Sequence, residues 1–345
     1  MLAAVLEGVG QMPLREVSKP EPGPGEAIVR VRACGICQTD YCAYTGARTN
    51  WQPGLVVGHE ISGVIDELGE GVAGWSVGDE VVVAPAGFCG LCRWCRTGLQ
   101  HYCSHGFVIG GEGFPDVRNG GFAEFVCAPV TVLYPKPPNV SFAAAALTEP
   151  LAGSYKGLIE YTQMRVGEDV VIIGAGGMGL LLGSIAHAAG AGHLIVIDIE
   201  DFKLTYAEKI GATHTINSRK VDAKQAVYDI LPEGPDLVFE AAGALEAASL
   251  TMDLCRRGTR VNMFGVIIPG TIPVSPADLH FQETRVDASF SVNPKVMIRS
   301  LDLQRKGLVD PSVIITHEIP LSEMPRALET MGSPERIKVV VRPDL

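Results

Sequence analysis

Cys89-Gly90-Leu91-Cys92-Arg93-Trp94-Cys95, with Cys103 eight residues further on, is a run of thiols whose spacing carries chemistry. Two-residue gaps let successive thiolates turn toward one centre, and four sulfurs complete a tetrahedral zinc site with no position left for a substrate. The loop is therefore expected to hold a structural zinc. A second donor set is incomplete. Cys37 lies in Cys34-Gly35-Ile36-Cys37-Gln38-Thr39-Asp40, and His59-Glu60 follow Val56-Val57-Gly58. One thiolate and one imidazole do not satisfy zinc, so a third donor and a free position are implied, as metal-assisted catalysis requires. Glu60, adjacent to the histidine, and Glu149, in Thr148-Glu149-Pro150, are the candidates. Taken singly, each has an ordinary alternative: a hydrogen-bonded core histidine, or a glutamate that opens a helix. The cysteine loop has a rival reading as a zinc-ribbon nucleic-acid module, for which Arg93 and Arg96 are too few in an acidic chain.

A third group of residues points to a nucleotide. Asp169-Val170-Val171-Ile172-Ile173 runs straight into Gly174-Ala175-Gly176-Gly177-Met178-Gly179. This is G-x-G-x-x-G between an apolar strand and a helix, where the glycines permit a tight turn and the helix amides receive a pyrophosphate. Asp198 ends the next apolar strand, 194–197, nineteen residues after the last glycine. A carboxylate there accepts hydrogen bonds from ribose hydroxyls and repels a 2′-phosphate. Glu200 and Asp201 add negative charge with no arginine in the adjoining sequence, which favours NAD over NADP; Lys203 is within reach of the same ribose.

These residues need two kinds of scaffold. Up to about residue 150 the chain has short β-branched runs (27–32, 62–65, 80–83, 122–126) between Gly and Pro clusters, the pattern of a mostly antiparallel β domain. From about 165 to 290, strand candidates 170–173, 194–197, 236–239 and 259–264 alternate with helical stretches such as 178–190 and 201–211, the pattern of βαβ units on a parallel sheet. A helix over 294–306 and a closing strand, Ile337 to Val341, follow. A length of 345 residues suits two domains, and a net charge of −11 disfavours nucleic acid and anionic membrane surfaces. No apolar stretch is long enough for a membrane span. Without an export signal the chain is expected to be cytosolic, where nine cysteines are not expected as disulfides, and the four crowded into fifteen positions read as metal ligands.

In their order along the chain, Cys37, Thr39-Asp40, Gly58-His59-Glu60, the four-cysteine loop, Glu149-Pro150 and Gly174 to Gly179 with Asp198 resemble the zinc-containing medium-chain alcohol/polyol dehydrogenases, in the sorbitol/threonine dehydrogenase-like branch. The resemblance spans nearly the whole chain. It implies a GroES-like β domain carrying both metals (roughly 1–153 and 290–345), a doubly wound α/β Rossmann domain binding NAD (154–289), and a catalytic site in the cleft between them. It implies two zinc ions: one closed by Cys89, Cys92, Cys95 and Cys103, and one held by Cys37 and His59, with Glu149 as third ligand, direct or through water, and Glu60 as a nearby or exchanging one. It implies transfer of hydride from a secondary alcohol to NAD, giving a ketone, with the hydroxyl acidified by the metal and its proton taken by Thr39. The length is similar to that of the tetrameric branch.

Two departures from the family's pattern stand out. Many members carry histidine five residues after the metal cysteine; here it is Cys42, a poorer proton relay, so water or the ribose itself takes over the relay's last step. Sorbitol-type members have an Arg-Tyr pair where this chain reads Ala288-Ser289-Phe290-Ser291-Val292-Asn293-Pro294, which counts against a plain sugar polyol. Trp51, Phe88, Phe107 and Phe114 are unassigned: an apolar substrate wall or internal packing. The rival functions are a metal-independent quinone or enoyl reductase on the same fold, against which Cys37 and His59 argue, and a non-enzymatic nucleotide-binding protein.

Overall fold

The computed structural model describes residues 1–48, 51–267 and 270–345, which form two compact units. The first comprises Met1–Glu149, Val292–Lys306 and Ile315–Leu345. Its main sheet runs in the order Leu133–Pro135, Glu80–Val83, Glu60–Leu68, Glu26–Gly35, Lys338–Arg342, Ile315–Pro320, and Phe125–Pro129 also pairs with Glu26–Gly35. The pairings are antiparallel except between Ile315–Pro320 and Lys338–Arg342, which run parallel. Glu26–Gly35 is the spine of the sheet. Ala27, Ile28, Val29, Val31, Ala33 and Cys34 on it are buried, as expected where β-branched side chains are packed on both faces. At its end Cys37 caps the helix Gln38–Thr45, and the carboxylate of Asp40 accepts the Cys37 N–H at 2.9 Å.

The second unit comprises Pro150–Ser291 and Gly307–Ile314. Its six strands are all parallel, in the order His214–Asn217, Leu194–Asp198, Val170–Ile173, Leu237–Glu240, Arg260–Met263, Arg285–Ala288. Numbered along the chain this is 3-2-1-4-5-6, the doubly wound order, whose direction reverses between Val170–Ile173 and Leu237–Glu240. Val171, Ile173, Ile195, Ile197, Val227, Leu231 and Val238 form one buried cluster on the sheet. At about 1.5 to 3 kcal/mol per large buried side chain, such packing makes the sheet a rigid platform.

The fold adds detail that the pattern of apolar runs does not give. The run 122–126 yields a strand only from Phe125, because Phe122 turns inward, fully buried, over Gly58. His214–Asn217 and the edge strand Arg285–Ala288 have too few apolar residues to announce themselves. The excursion Gly307–Ile314, which returns to the second unit, has no sequence signal either. Among the described residues, no helix is long and apolar enough to cross a membrane.

Candidate functional site

Two clusters of metal-donor side chains occur among the described residues. In the first, Cys89, Cys92, Cys95 and Cys103 converge with their sulfurs within 4.8 Å of one another. Neighbouring sulfurs are 3.6 Å (Cys92–Cys95), 3.8 Å (Cys92–Cys103) and 3.9 Å (Cys89–Cys95) apart. A zinc–sulfur distance of about 2.3 Å places tetrahedral sulfurs about 3.8 Å apart, so the four thiols fit that ion. A disulfide would need about 2.05 Å. Amides from Cys95 and Ser104 pull the Cys92 thiol down to about 6, while burial pushes Cys95 up to about 12. The short helix Arg93–Arg96 and the turn Gln100–Tyr102 set the spacing, and Trp94 packs edge-on against Tyr102.

In the second cluster, Cys37, His59 and Glu60 each offer a donor atom within 4.8 Å of the others. Cys37 comes from the cap of the helix Gln38–Thr45; His59 and Glu60 come from the start of the adjoining strand Glu60–Leu68. His59 Nδ1 faces Asp40 Oδ1 at 3.3 Å and the Gly110 carbonyl at 3.3 Å, which leaves Nε2 as the ring nitrogen for a metal. Burial works against a charged His59, but the Asp40 carboxylate and then Cys37 outweigh it, and the imidazole is held well above its usual range. Asp40 is fully buried. It thus orients the cap of one ligand and the ring of another, a role that the reading of Thr39-Asp40 as a bare motif missed.

Glu149 is not among the donors of that tight cluster, although it lies close enough to feel them. Desolvation is the main cause that pushes its carboxyl up to about 7; Glu60 and Asp40 add to this, and His59 and Lys338 oppose it. It sits on the helix Thr148–Tyr155, whose first residue is pinned when Gln304 Nε2 donates to Thr148 Oγ1 at 2.8 Å. Thr39 is partly exposed in the first turn of its helix. Cys42, one turn on, accepts a long contact from Gln38 Nε2 at 3.7 Å, and Gln38 is held in turn by Arg336. Of the unassigned aromatics, Phe107 lies under the Arg118 guanidinium at 4.2 Å and Phe88 packs against Phe114 at 6.1 Å. Trp51 is partly buried, with its indole N–H unpartnered.

In the second unit the glycine loop leaves Val170–Ile173 and enters the helix Gly177–Ala188. Gly174 has φ of 109°, and a Cβ there would meet the Ala242 amide at 2.6 Å; one on Gly179 would meet the Gly174 carbonyl at 1.8 Å. Gly176, Gly177 and Met178 are partly exposed at the helix start. Asp198 closes the loop from below: Oδ2 accepts the Ala175 N–H at 2.7 Å, and Oδ1 accepts the N–H groups of Ile199 (2.8 Å) and Glu200 (3.0 Å). The expectation of no nearby arginine is corrected here. Arg219 pairs with Glu200 at 2.8 Å and Lys220 with Asp201 at 2.5 Å, both reaching over from the end of the neighbouring strand His214–Asn217. Lys203 stands partly exposed in the helix Asp201–Lys209. Further along, the buried Lys156 donates to the carbonyls of Phe290 (2.5 Å) and Ser291 (3.3 Å), where the family's Arg-Tyr pair is replaced.

Known proteins are similar to this chain over nearly its whole length. The family model described as alcohol dehydrogenase GroES-like domain matches residues 23–138, and the one described as zinc-binding dehydrogenase matches residues 177–305. The chain is 31% identical to a sorbitol dehydrogenase of Halalkalibacterium halodurans over 99% of this chain and 98% of that protein. It is 31% identical to an L-threonine 3-dehydrogenase of Coxiella burnetii over 95% of both. A solved structure from Sinorhizobium meliloti, described as a zinc-binding dehydrogenase bound to NADP, is 33% identical, with a TM-score of 0.92 and 99% of each chain covered.

Proposed function

The chain belongs to the zinc-binding, GroES-like alcohol dehydrogenase family, and from that premise we propose how its own residues divide the work. It is a zinc-dependent oxidoreductase of alcohols that uses a nicotinamide cofactor. In our reading it oxidises a secondary alcohol, of the polyol, cyclic or hydroxylated kind, to a ketone with NAD. Relatives named for sorbitol and for position 3 of L-threonine support a small hydroxylated substrate. The observation that carries the reading is the gathering of Cys37, His59 and Glu60 within 4.8 Å, with the Glu149 carboxyl close enough to interact with them. The metal-free quinone or enoyl reductase is not favoured, because it has no use for this donor set.

Cys37 and His59 would hold the catalytic zinc, with Glu149 as the third ligand and Glu60 in reserve; Cys89, Cys92, Cys95 and Cys103 would hold a second, structural ion. When bound, the zinc acidifies a substrate hydroxyl as a Lewis acid and the nicotinamide accepts the hydride. The protein's share is orientation and proton handling. Asp40 fixes the ring of His59 through Nδ1. Thr39 takes the hydroxyl proton, and with Cys42 in place of histidine the proton leaves through the ribose or water. The amides after Gly176 receive the pyrophosphate, and Asp198 favours the 2′-hydroxyl of NAD over a 2′-phosphate. Arg219 and Lys220 pair with Glu200 and Asp201 in this structure. We assign the metals to 1–153 with 290–345 and the cofactor to 154–289. We also read the enzyme as a cytoplasmic homotetramer, on the support of nine cysteines without a disulfide and of the mostly exposed edge strand Arg285–Ala288.

Dialysis against a chelator tests the reading. Alcohol-dependent NADH formation should disappear while the far-ultraviolet circular dichroism is retained. Unchanged turnover would remove the metal from the mechanism.

A further inference from the structure

The helix Thr148–Tyr155 runs on into a wide turn of π-helix, Lys156–Tyr161. Such turns are rare and frequently mark functional places. This one packs beside the last strand of the parallel sheet. At one end Arg285, which opens that strand, donates from Nη2 to the Tyr161 carbonyl at 2.6 Å. At the other, the buried Lys156 reaches the loop that follows the strand and donates from Nζ to the carbonyls of Phe290 (2.5 Å) and Ser291 (3.3 Å), with the Tyr161 ring 5.3 Å away. Gly157 permits the close approach, since a Cβ there would come within 2.9 Å of the Phe264 ring and of the Ser289 hydroxyl. The two carbonyls held by Lys156 flank the α-carbon of Ser291, whose φ of 59° lies in the left-handed region that residues other than glycine rarely enter. In a helical conformation successive carbonyls point the same way, whereas in an extended chain they alternate, so one ammonium holds both only while Ser291 is kept out of the extended form. A backbone of this kind persists where its surroundings impose it, and the two bonds from Lys156 are placed to do so.

The place of this loop in the fold gives the clamp a use. A doubly wound sheet receives a dinucleotide across the carboxyl ends of its strands, one nucleoside on each half. The glycine loop and Asp198 assign the adenosine to the half made of His214–Asn217, Leu194–Asp198 and Val170–Ile173, which leaves the nicotinamide to the half that ends with Arg285–Ala288. Residues 289–291 leave the carboxyl end of that strand, and the buried hydroxyl of Ser289 has no hydrogen-bond partner, as a group kept for a polar ligand would not. We propose that Lys156 is a positioning residue for the cofactor: by holding Ser291 in its left-handed backbone it presets the loop that receives the nicotinamide end, so that binding does not have to order it. The proposal rests on the reading of 154–289 as the nucleotide-binding domain and deepens it, adding a lysine that acts through the loop rather than on the cofactor.

The test compares two ligands of the zinc-loaded, full-length protein at neutral pH: NADH, followed by its nicotinamide fluorescence, and ADP-ribose, which lacks the nicotinamide ring, followed by titration calorimetry. The wild type should bind both; if either fails to bind, the nucleotide reading itself fails and the proposal falls with it. Given that binding, Lys156→Met should weaken NADH roughly tenfold and leave ADP-ribose within about twofold, a split that a general loosening of the domain does not produce. Adding Ser291→Gly, for which a left-handed backbone has no steric cost, should restore most of the lost NADH affinity, while Ser291→Gly alone changes little. Ser291→Val keeps the lysine, but its branched side chain opposes the left-handed backbone, and it carries the same split if the methionine variant does not fold. Unchanged NADH affinity in Lys156→Met or Ser291→Val, equal weakening of both ligands, or no recovery on adding Ser291→Gly overturns the proposal.

Discussion

Fifteen consecutive residues supply all four sulfurs of the Cys89–Cys103 loop, whereas the Cys37 cluster draws on a helix cap, the start of a strand and Lys338, which bonds to Glu60 from 278 positions away. The first set is local, and its geometry follows from spacing alone. The second exists only after the strands Glu26–Gly35, Glu60–Leu68 and Lys338–Arg342 have come into one sheet. The difference fits the proposed division of roles. A local set closes on its ion and contributes stability, while a set assembled at long range can be short of a donor, because the sheet holds its members apart from collapse onto the metal.

The contrast is open to attack by substitution. Cys37→Ala should lower kcat/KM by at least about a thousandfold, the worth of several kcal/mol of Lewis-acid assistance, with the melting temperature nearly unchanged. Cys95→Ala should do the reverse, costing a few kcal/mol and on the order of 10 °C in calorimetry before activity at low temperature suffers much. A loss of activity without a loss of stability in Cys95→Ala would erase the distinction between the two regions. Asp40→Asn should weaken zinc retention at the Cys37 site about 10- to 100-fold, read by chelator competition, and leave the sulfur loop's ion in place. The smallest effect concerns two buried lysines. Lys338 has a carboxylate partner, while Lys156 has carbonyls and the Tyr161 ring, and burial pulls the Lys156 ammonium down to about 8. Between pH 8 and 10.5 the folded chain has then released a proton that the unfolded chain still holds, so stability rises with pH across that window. Relative to Lys156→Met, the wild type should gain stability over that range in denaturant titrations; a flat difference would show that Lys156 is not desolvated.

Much of this was legible in the sequence where the chemistry is carried by neighbours in the chain. The C-x-x-C-x-x-C run and the glycine turn needed no tertiary information, and the alternation of apolar strands with helices announced the parallel sheet. Legibility failed where partners are distant in sequence. Lys338 reads as one more charge beside an apolar strand, and only the pairing of Lys338–Arg342 with Glu26–Gly35 brings it beneath Glu60. Arg219 and Lys220 were missed for the same reason, since parallel neighbours in a sheet are separated by a whole crossover. Asp40 was in plain view, but its buried contact with His59 depends on where the strand after Gly58 lands. The edge strand Arg285–Ala288 was obscured by its own composition: with both faces uncovered it has no apolar period to detect.

The ion pair between Lys338 and Glu60 also has a consequence in time. A ribosome adding roughly 5 to 20 residues per second reaches Lys338 on the order of half a minute after Glu60 has emerged. During that interval the nascent polypeptide already carries its complete quartet of thiolates, free to capture an ion, while Glu60 is still without its ammonium partner. The last strand then brings the charge partner of a carboxylate that the folded sheet buries, together with the donor to the Ile36 carbonyl.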